Sequence, residues 1–117
     1  MINEVMNQID TTLATLADPA RRRVVELLRS EPLRASVIAD RTSMSRAAIS
    51  RHLRIMERSG LVVVETPEDD ARGRLYRLRP EALAALGAWL DQVQAFWSEQ
   101  MGAFKEHAER TRRRQAP

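Results

Sequence analysis

Apolar side chains recur every three or four positions in five stretches of the chain, which is the period of an amphipathic helix. The pattern predicts helices over about residues 2–17, 19–30, 35–42 and 80–110, and a fourth in chain order between Ser45 and Gly60. Two aliphatic runs, 61–66 and 74–78, are joined by a polar loop and predict a β-hairpin.

Capping residues support these boundaries. Asp18 and Pro19 suit the cap and first position of the second helix, and Ser45 suits the cap of the fourth. Gly60 can adopt the left-handed conformation that ends a helix, and Thr42-Ser43-Met44 reads as a tight turn. The order of elements predicts a mainly α fold with a small β-hairpin, a winged helix-turn-helix of about five helices and a two-stranded wing.

We expect a single domain over residues 1–110, followed by a flexible basic tail at 111–117. Within it, residues 19–79 would form a DNA-binding core, and the helices at 2–17 and 80–110 would dimerise. The first of these helices has one apolar stripe, formed by Ile2, Val5, Met6, Ile9, Leu13 and Leu16.

The fourth helix carries the sharpest functional signal. If Ile49 faces the core, Leu53 and Met56 join it, and a basic face points outward. A major groove admits one helix with its first residues nearest the bases, so the base-edge candidates are Arg46, Ala47 and Ser50. The phosphate candidates are Ser43, Ser45, Arg51 and Arg54. His52 borders the apolar face and fits packing or a backbone-phosphate contact, and the alternative for the whole helix is an ordinary solvated polar face.

Charge is concentrated in the same segment. The net charge is only +3, but residues 19–79 carry fourteen Arg against eight acidic residues. A polyanion responds to this local field rather than to the total. Arg21 falls in the apolar arc of its helix and is expected to be structural, whereas Arg22 and Arg23 are expected to be solvated charges.

The wing offers a second contact. Arg72 and Arg74 lie at or near the hairpin tip, where arginine can enter a narrow minor groove. The alternative is an exposed tip that contacts nothing, and the acidic residues of the loop would have to face away from phosphate.

The last helix is too apolar to be buried against so small a domain. Both Trp and both Phe lie in it, and Trp89, Phe96 and Met101 add a second apolar line. A second copy of the chain is the predicted cover, and a two-fold pair of reading helices predicts a palindromic operator. The interface candidates are Val5, Met6, Ile9, Leu13, Leu16, Leu86, Leu90, Val93, Trp97, Met101 and Phe104. The alternative is an intramolecular core helix beside a ligand-lined groove.

Composition excludes several other classes. The chain has no cysteine, which rules out disulfides, thiol chemistry and thiolate metal sites. Its N-terminus does not resemble a signal peptide and no apolar run is long enough to span a membrane, so we expect a cytoplasmic protein. No nucleophile or phosphate-loop pattern stands out, which argues against an enzyme, and no cofactor is predicted.

Three segments, LADPARRRVVELL, SRAAISRHLRIMERSGLV and GRLYRLRPEAL, together resemble the ArsR/SmtB family of winged-helix repressors over about residues 13–90. The resemblance implies a homodimer joined by its terminal helices, with the fourth helix in the major groove and repression relieved by a signal. It implies no metal site here, because the third helix lacks cysteines and the last helix has only His107 among its carboxylates. Arg79 also replaces the capping Asp or Ser that family members often place before the proline.

The sequence therefore predicts a sequence-specific, homodimeric transcriptional repressor that does not respond to metal, with its own promoter as a candidate target. Two alternatives remain: a MarR-like regulator that responds to a small molecule, and a winged-helix module that binds proteins but not DNA. The residues identify no effector.

Overall fold

A computed structural model describes residues 2–66 and 73–115 of the chain. Its elements, in chain order, are α1 Ile2–Leu16, α2 Pro19–Leu28, β1 Leu33–Arg34, α3 Ala35–Thr42, α4 Arg46–Arg58, β2 Val62–Glu65, β3 Leu75–Leu78 and α5 Pro80–Gln115. The predicted winged helix-turn-helix is confirmed, and each predicted helix is present. Within the described residues, no helix is long and apolar enough to cross a membrane.

The chain divides into two compact units, Met1–Ala85 and Leu86–Pro117. The first contains every element from α1 to β3 and the first turns of α5. The second contains the rest of α5.

The core of the first unit is aliphatic. On α4, Ile49, Leu53 and Met56 are at most 1% exposed, so the predicted inner face of this helix is confirmed. They pack in one cluster with Val24, Leu28, Leu33, Ile38, Ala39, Leu61, Val62 and Ala82. Because α4 gives one whole side to this cluster, its other side is left for solvent or a partner.

The helix ends follow their capping residues. An Asp18 carboxylate oxygen accepts a hydrogen bond from the Ala20 amide at 2.8 Å, and the Ser45 hydroxyl accepts one from the Ala48 amide at 3.1 Å. Ser43 has φ +57° and Gly60 has φ +81°, so both occupy the left-handed region. The tight turn before α4 and the glycine stop after it are confirmed.

The sheet has three strands rather than the predicted two. Its order is β1-β3-β2, with Leu33 opposite Tyr76 and Val64 opposite the same residue from the other side. The additional strand is β1, Leu33–Arg34, which the sequence pattern did not predict. Both pairings are antiparallel. Because β1 directly precedes α3, its pairing with β3 ties the wing to the start of α3.

The inner face of α1 differs from the predicted stripe. The buried residues are Ile9, Thr12 and Thr15, whereas Leu13 is exposed. The two threonine hydroxyls keep hydrogen-bond partners when buried, since Thr12 donates to the Gln8 carbonyl at 2.9 Å and Thr15 to the Thr11 carbonyl at 2.8 Å.

In the second unit, α5 continues to Gln115, beyond the predicted end at 110. The predicted end of the helix is therefore five residues too early, and the flexibility expected of the tail stays a prediction. Arg112, Arg113 and Arg114 lie in the last turn, where cations complement the negative end of the helix dipole.

Candidate nucleic-acid interface

The outward face of α4 is built from the residues that the sequence singled out. It is an exposed surface opposite the buried Ile49, Leu53 and Met56, and the exposed residues of α4 are Arg46, Ala47, Ser50, Arg51, Arg54, Ile55, Glu57 and Arg58. The one acidic residue among them, Glu57, lies near the end of the helix, and the first turns carry no negative charge. The helix therefore presents guanidinium groups, a methyl group and a hydroxyl on one side, the chemistry that base edges and phosphates accept.

The turn before α4 places two hydroxyl groups beside the start of that face. Ser43 and Ser45 are both exposed. The Ser45 oxygen is already an acceptor from the Ala48 amide, which leaves its O–H free to donate to an anion. The cap and a phosphate contact are thus compatible at the same residue.

His52 lies at the edge of the same helix and is half-buried. Its Nδ1 is buried and has no hydrogen-bond partner in the part of the chain that the structure describes. The pKa of Asp18 is held below its usual value, first by the Ala20 amide hydrogen bond and then by the charges of Arg21 and His52. The fold therefore brings His52 of α4 towards the N-terminal cap of α2, which agrees with a packing role more than with base reading.

The three consecutive arginines of α2 bind backbone carbonyls at the ends of other helices. Arg21 Nε donates to the Thr15 carbonyl at 2.7 Å, and its guanidinium lies 3.9 Å from the Asp18 carboxylate. The structural role predicted for Arg21 is confirmed.

Arg22 and Arg23 are exposed, as expected of solvated charges, and each also binds the end of a helix. Arg22 donates to the carbonyls of Leu16 and Ala17 at 2.8 and 3.1 Å, and Arg23 donates to the Thr42 carbonyl at 3.1 Å. These carbonyls end α1 and α3, where the last turns of a helix lack partners. The sequence feature that could have indicated these contacts is the run of arginines directly after the junction of α1 and α2.

At the wing, Arg74 is exposed, and Arg72 lies outside the described residues. A Cβ on Gly73 would stand 2.7 Å from Arg34 Nε, so the absence of a side chain at Gly73 leaves room for Arg34 to pass close to the wing backbone. Arg77 and Glu65 form an ion pair across β2 and β3. These contacts hold the base of the wing.

The predicted interface residues fall into two groups. Ile9 and Leu86 are already buried in the single chain, and Leu16 is half-buried, so they do not offer a free surface. The other candidates, which are exposed, are Val5, Met6, Leu13, Leu90, Val93, Trp97, Met101 and Phe104. Phe96, absent from the predicted set, is 62% exposed and belongs with them.

Metal-ligating side chains do not gather in the described residues. No three of the His, Asp or Glu side chains there stand close enough to hold one ion.

Known proteins share this architecture. A family described as a helix-turn-helix domain matches residues 16–65. The HTH-type transcriptional regulator Rv2034 of Mycobacterium tuberculosis is 34% identical over 97 residues, 83% of this chain and 85% of its own. An ArsR-like transcriptional regulator from Rhodococcus sp. RHA1 has a solved structure with TM-score 0.69 and 28% identity, over 86% of this chain and 92% of its own.

A third match has the same fold at lower identity. It is the homodimeric winged helix-turn-helix DNA-binding domain of Mb0332 from Mycobacterium bovis, described as a possible ArsR-family regulator. Its TM-score is 0.63 and its identity 22%, over 80% of this chain and 82% of its own. The exposed arginine face of α4, the three-stranded wing and these relatives agree: the chain belongs to the ArsR family of DNA-binding winged helix-turn-helix transcriptional regulators.

Proposed function

We propose that this regulator is a homodimeric repressor that inserts α4 of each copy into the major groove of a palindromic operator. The observation that carries the proposal is the division of α4 into a fully buried apolar side and an exposed side of arginine, serine and alanine. A helix fixed so firmly on one side presents its other side rigidly, as sequence reading requires.

The residues of this face are expected to contact two different parts of the DNA, base edges and backbone phosphates. Arg46, Ala47 and Ser50 lie in the first turns of α4 and would meet base edges, where arginine reads guanine and a methyl group meets thymine. Arg51 and Arg54, with the hydroxyls of Ser43 and Ser45, would meet phosphates and set the register. Arg74 of the wing would add a contact in the neighbouring minor groove.

The exposed apolar side chains support the dimer. Trp97 and Phe104 of α5 are 62% and 69% exposed, and Val5 of α1 is half exposed, which is unfavourable in water unless a partner covers them. The Mycobacterium bovis domain of the same fold is described as homodimeric. A two-fold pair would set the two α4 helices about one helical turn of DNA apart.

The proposed release signal is not a metal ion. Thiolate sites are impossible without cysteine, and the two histidines, His52 and His107, lie in different helices with only carboxylates as further ligands. Addition of zinc or nickel ions, or of a chelator, is expected to leave operator affinity unchanged.

The test is selection of DNA by the protein from a random duplex library. We expect an enriched palindrome whose half-sites are centred about 10 base pairs apart. Arg46→Ala is expected to lose its preference at a defined base pair in each half-site. Arg79→Ala, which removes an exposed arginine directly after β3, is expected to keep that preference. Enrichment of no sequence by the native protein would refute the proposal and favour a protein-interaction module.

A further inference from the structure

A second basic surface lies next to the recognition helix, in a groove between α2 and α3. The groove has a volume of about 450 Å³ and is lined by Pro19, Arg22, Arg23, Glu26, Leu27, Arg41 and Thr42. Three arginines thus face one glutamate. None of these residues belongs to the α4 face or to the wing.

One residue that lines the groove is adjacent in sequence to the proposed DNA surface. Thr42, which ends α3 and lines the groove, directly precedes Ser43 and is three residues before the Ser45 cap of α4. Arg23 donates to the Thr42 carbonyl at 3.1 Å, which ties the wall formed by α2 to the helix-turn-helix turn. Because this turn leads directly into the first residues of α4, we expect the backbone of a duplex seated on α4 to pass close to it.

The arginines are held in place but keep free donors. Arg22 and Arg23 use one guanidinium nitrogen each for the carbonyls described above, and a guanidinium has five N–H groups. Arg41 has only a loose ion pair, with its Nη1 3.9 Å from Glu31, and half of its side chain is exposed. Glu26 is drawn towards Arg29 at 3.5 Å, which turns part of its charge away from the groove.

We infer that this groove binds a backbone phosphate of the operator and forms a third contact region beside α4 and the wing. The inference rests on the proposed function. Phosphate suits the groove because fixed guanidinium groups bind its oxygens through paired, charge-assisted hydrogen bonds. Such a contact positions the dimer without reading bases, so it strengthens binding to every sequence alike.

The decisive variant is Arg41→Ala, because removing an exposed side chain with one loose partner leaves the fold intact. Binding is measured by fluorescence anisotropy on the selected palindrome and on a random duplex, between about 50 and 200 mM salt. We expect about tenfold weaker binding to both duplexes, and a salt slope that is shallower by about 0.9 for each phosphate that the variant no longer neutralises. Arg41→Lys should keep the slope.

The matched control is Arg79→Ala. Arg79 has the same kind of loose pair, 3.9 Å from Glu81, with 53% of its side chain exposed against 50% for Arg41. Its removal should change neither affinity nor slope. A further variant, Glu26→Gln, removes the acidic lining residue and should tighten binding by about twofold, a gain that misfolding cannot produce.

Free phosphate distinguishes the two sources of the anion. If the groove serves the DNA backbone, Arg41→Ala weakens binding in chloride buffer without free phosphate, and inorganic phosphate competes with the duplex in the native protein. If Arg41→Ala keeps native affinity in chloride buffer but loses the response of the native protein to inorganic phosphate, the groove serves a free anion and the inference is overturned. Unchanged affinity and slope in Arg41→Ala, with native binding intact, would also overturn it while leaving the proposed function standing.

Discussion

Two isoleucines on the recognition helix allow burial to be tested within a single element. Ile49 is fully buried, and Ile55, nearly two turns further along α4, is 40% exposed. Truncating each to alanine removes the same atoms and gains the same helix propensity. The difference between the two variants therefore reports the packing of α4 on the core.

The structure sets the size of this difference. Ile49→Ala removes three carbon atoms from a close-packed cluster, which costs about 3 kcal/mol of unfolding free energy, including the cavity that remains. Ile55→Ala removes partly hydrated atoms and should cost about 0.5 kcal/mol after the gain in helix propensity. At about 4 °C per kcal/mol for a chain of this length, the two melting temperatures should differ by about 10 °C.

Urea and thermal unfolding followed by circular dichroism measure this difference. Both variants are compared at one protein concentration, because the stability of a dimer depends on concentration. If Ile49→Ala and Ile55→Ala melted within about 2 °C of each other, the assignment of the inner and outer faces of α4 would be wrong, and with it the proposed DNA-reading surface.

Four further results are expected. Arg46→Ala should lower the ratio of operator to random-duplex affinity by about tenfold, whereas Arg51→Ala should weaken both alike and make the salt slope shallower by about 0.9, as anisotropy titrations would show. Ser45→Ala removes the cap of α4 and should cost about 1 kcal/mol of unfolding free energy in urea titrations. Trp97→Glu should convert the dimer to monomer in sedimentation velocity, and an unchanged dimer would remove Trp97 from the interface. Folding lowers the pKa of Asp18 below its unfolded value of 3.8. The ionised carboxylate therefore stabilises the fold above pH 3.8, and this stabilisation is lost as the pH falls through the lower folded value. In Asp18→Asn, urea midpoints measured from about pH 2 to 6 should lack this pH-dependent loss of stability.

The helix-turn-helix segment was predictable because its determinants are local. The Ser45 cap, the Gly60 stop and the spacing of Ile49, Leu53 and Met56 all act within a few residues of chain. These features define α4 and its outer face without any knowledge of the elements that pack against the helix. The position of its arginines therefore followed from periodicity alone.

The errors arose where distant segments meet. β1 has two residues and no strand-like pattern of its own; it exists because Leu33 and Arg34 pair with β3, some forty residues later in the chain. The carbonyls that Arg22 and Arg23 bind end helices whose relative positions no local pattern reveals. The burial of Thr12 and Thr15 in α1 could not be predicted from apolar periodicity, because these threonines are buried with their hydroxyls bonded to carbonyls one turn earlier.

The sequence by itself determined the helices, the hairpin and the chemistry of the reading face, because hydrophobic period, caps and glycine stops are properties of neighbouring residues. Only the tertiary structure decided which charges are used by the fold and which remain available. It tied Arg23 to the end of α3 and placed Arg41 across a groove from α2. Those distinctions depend on distances between residues far apart in the chain, and packing alone sets those distances.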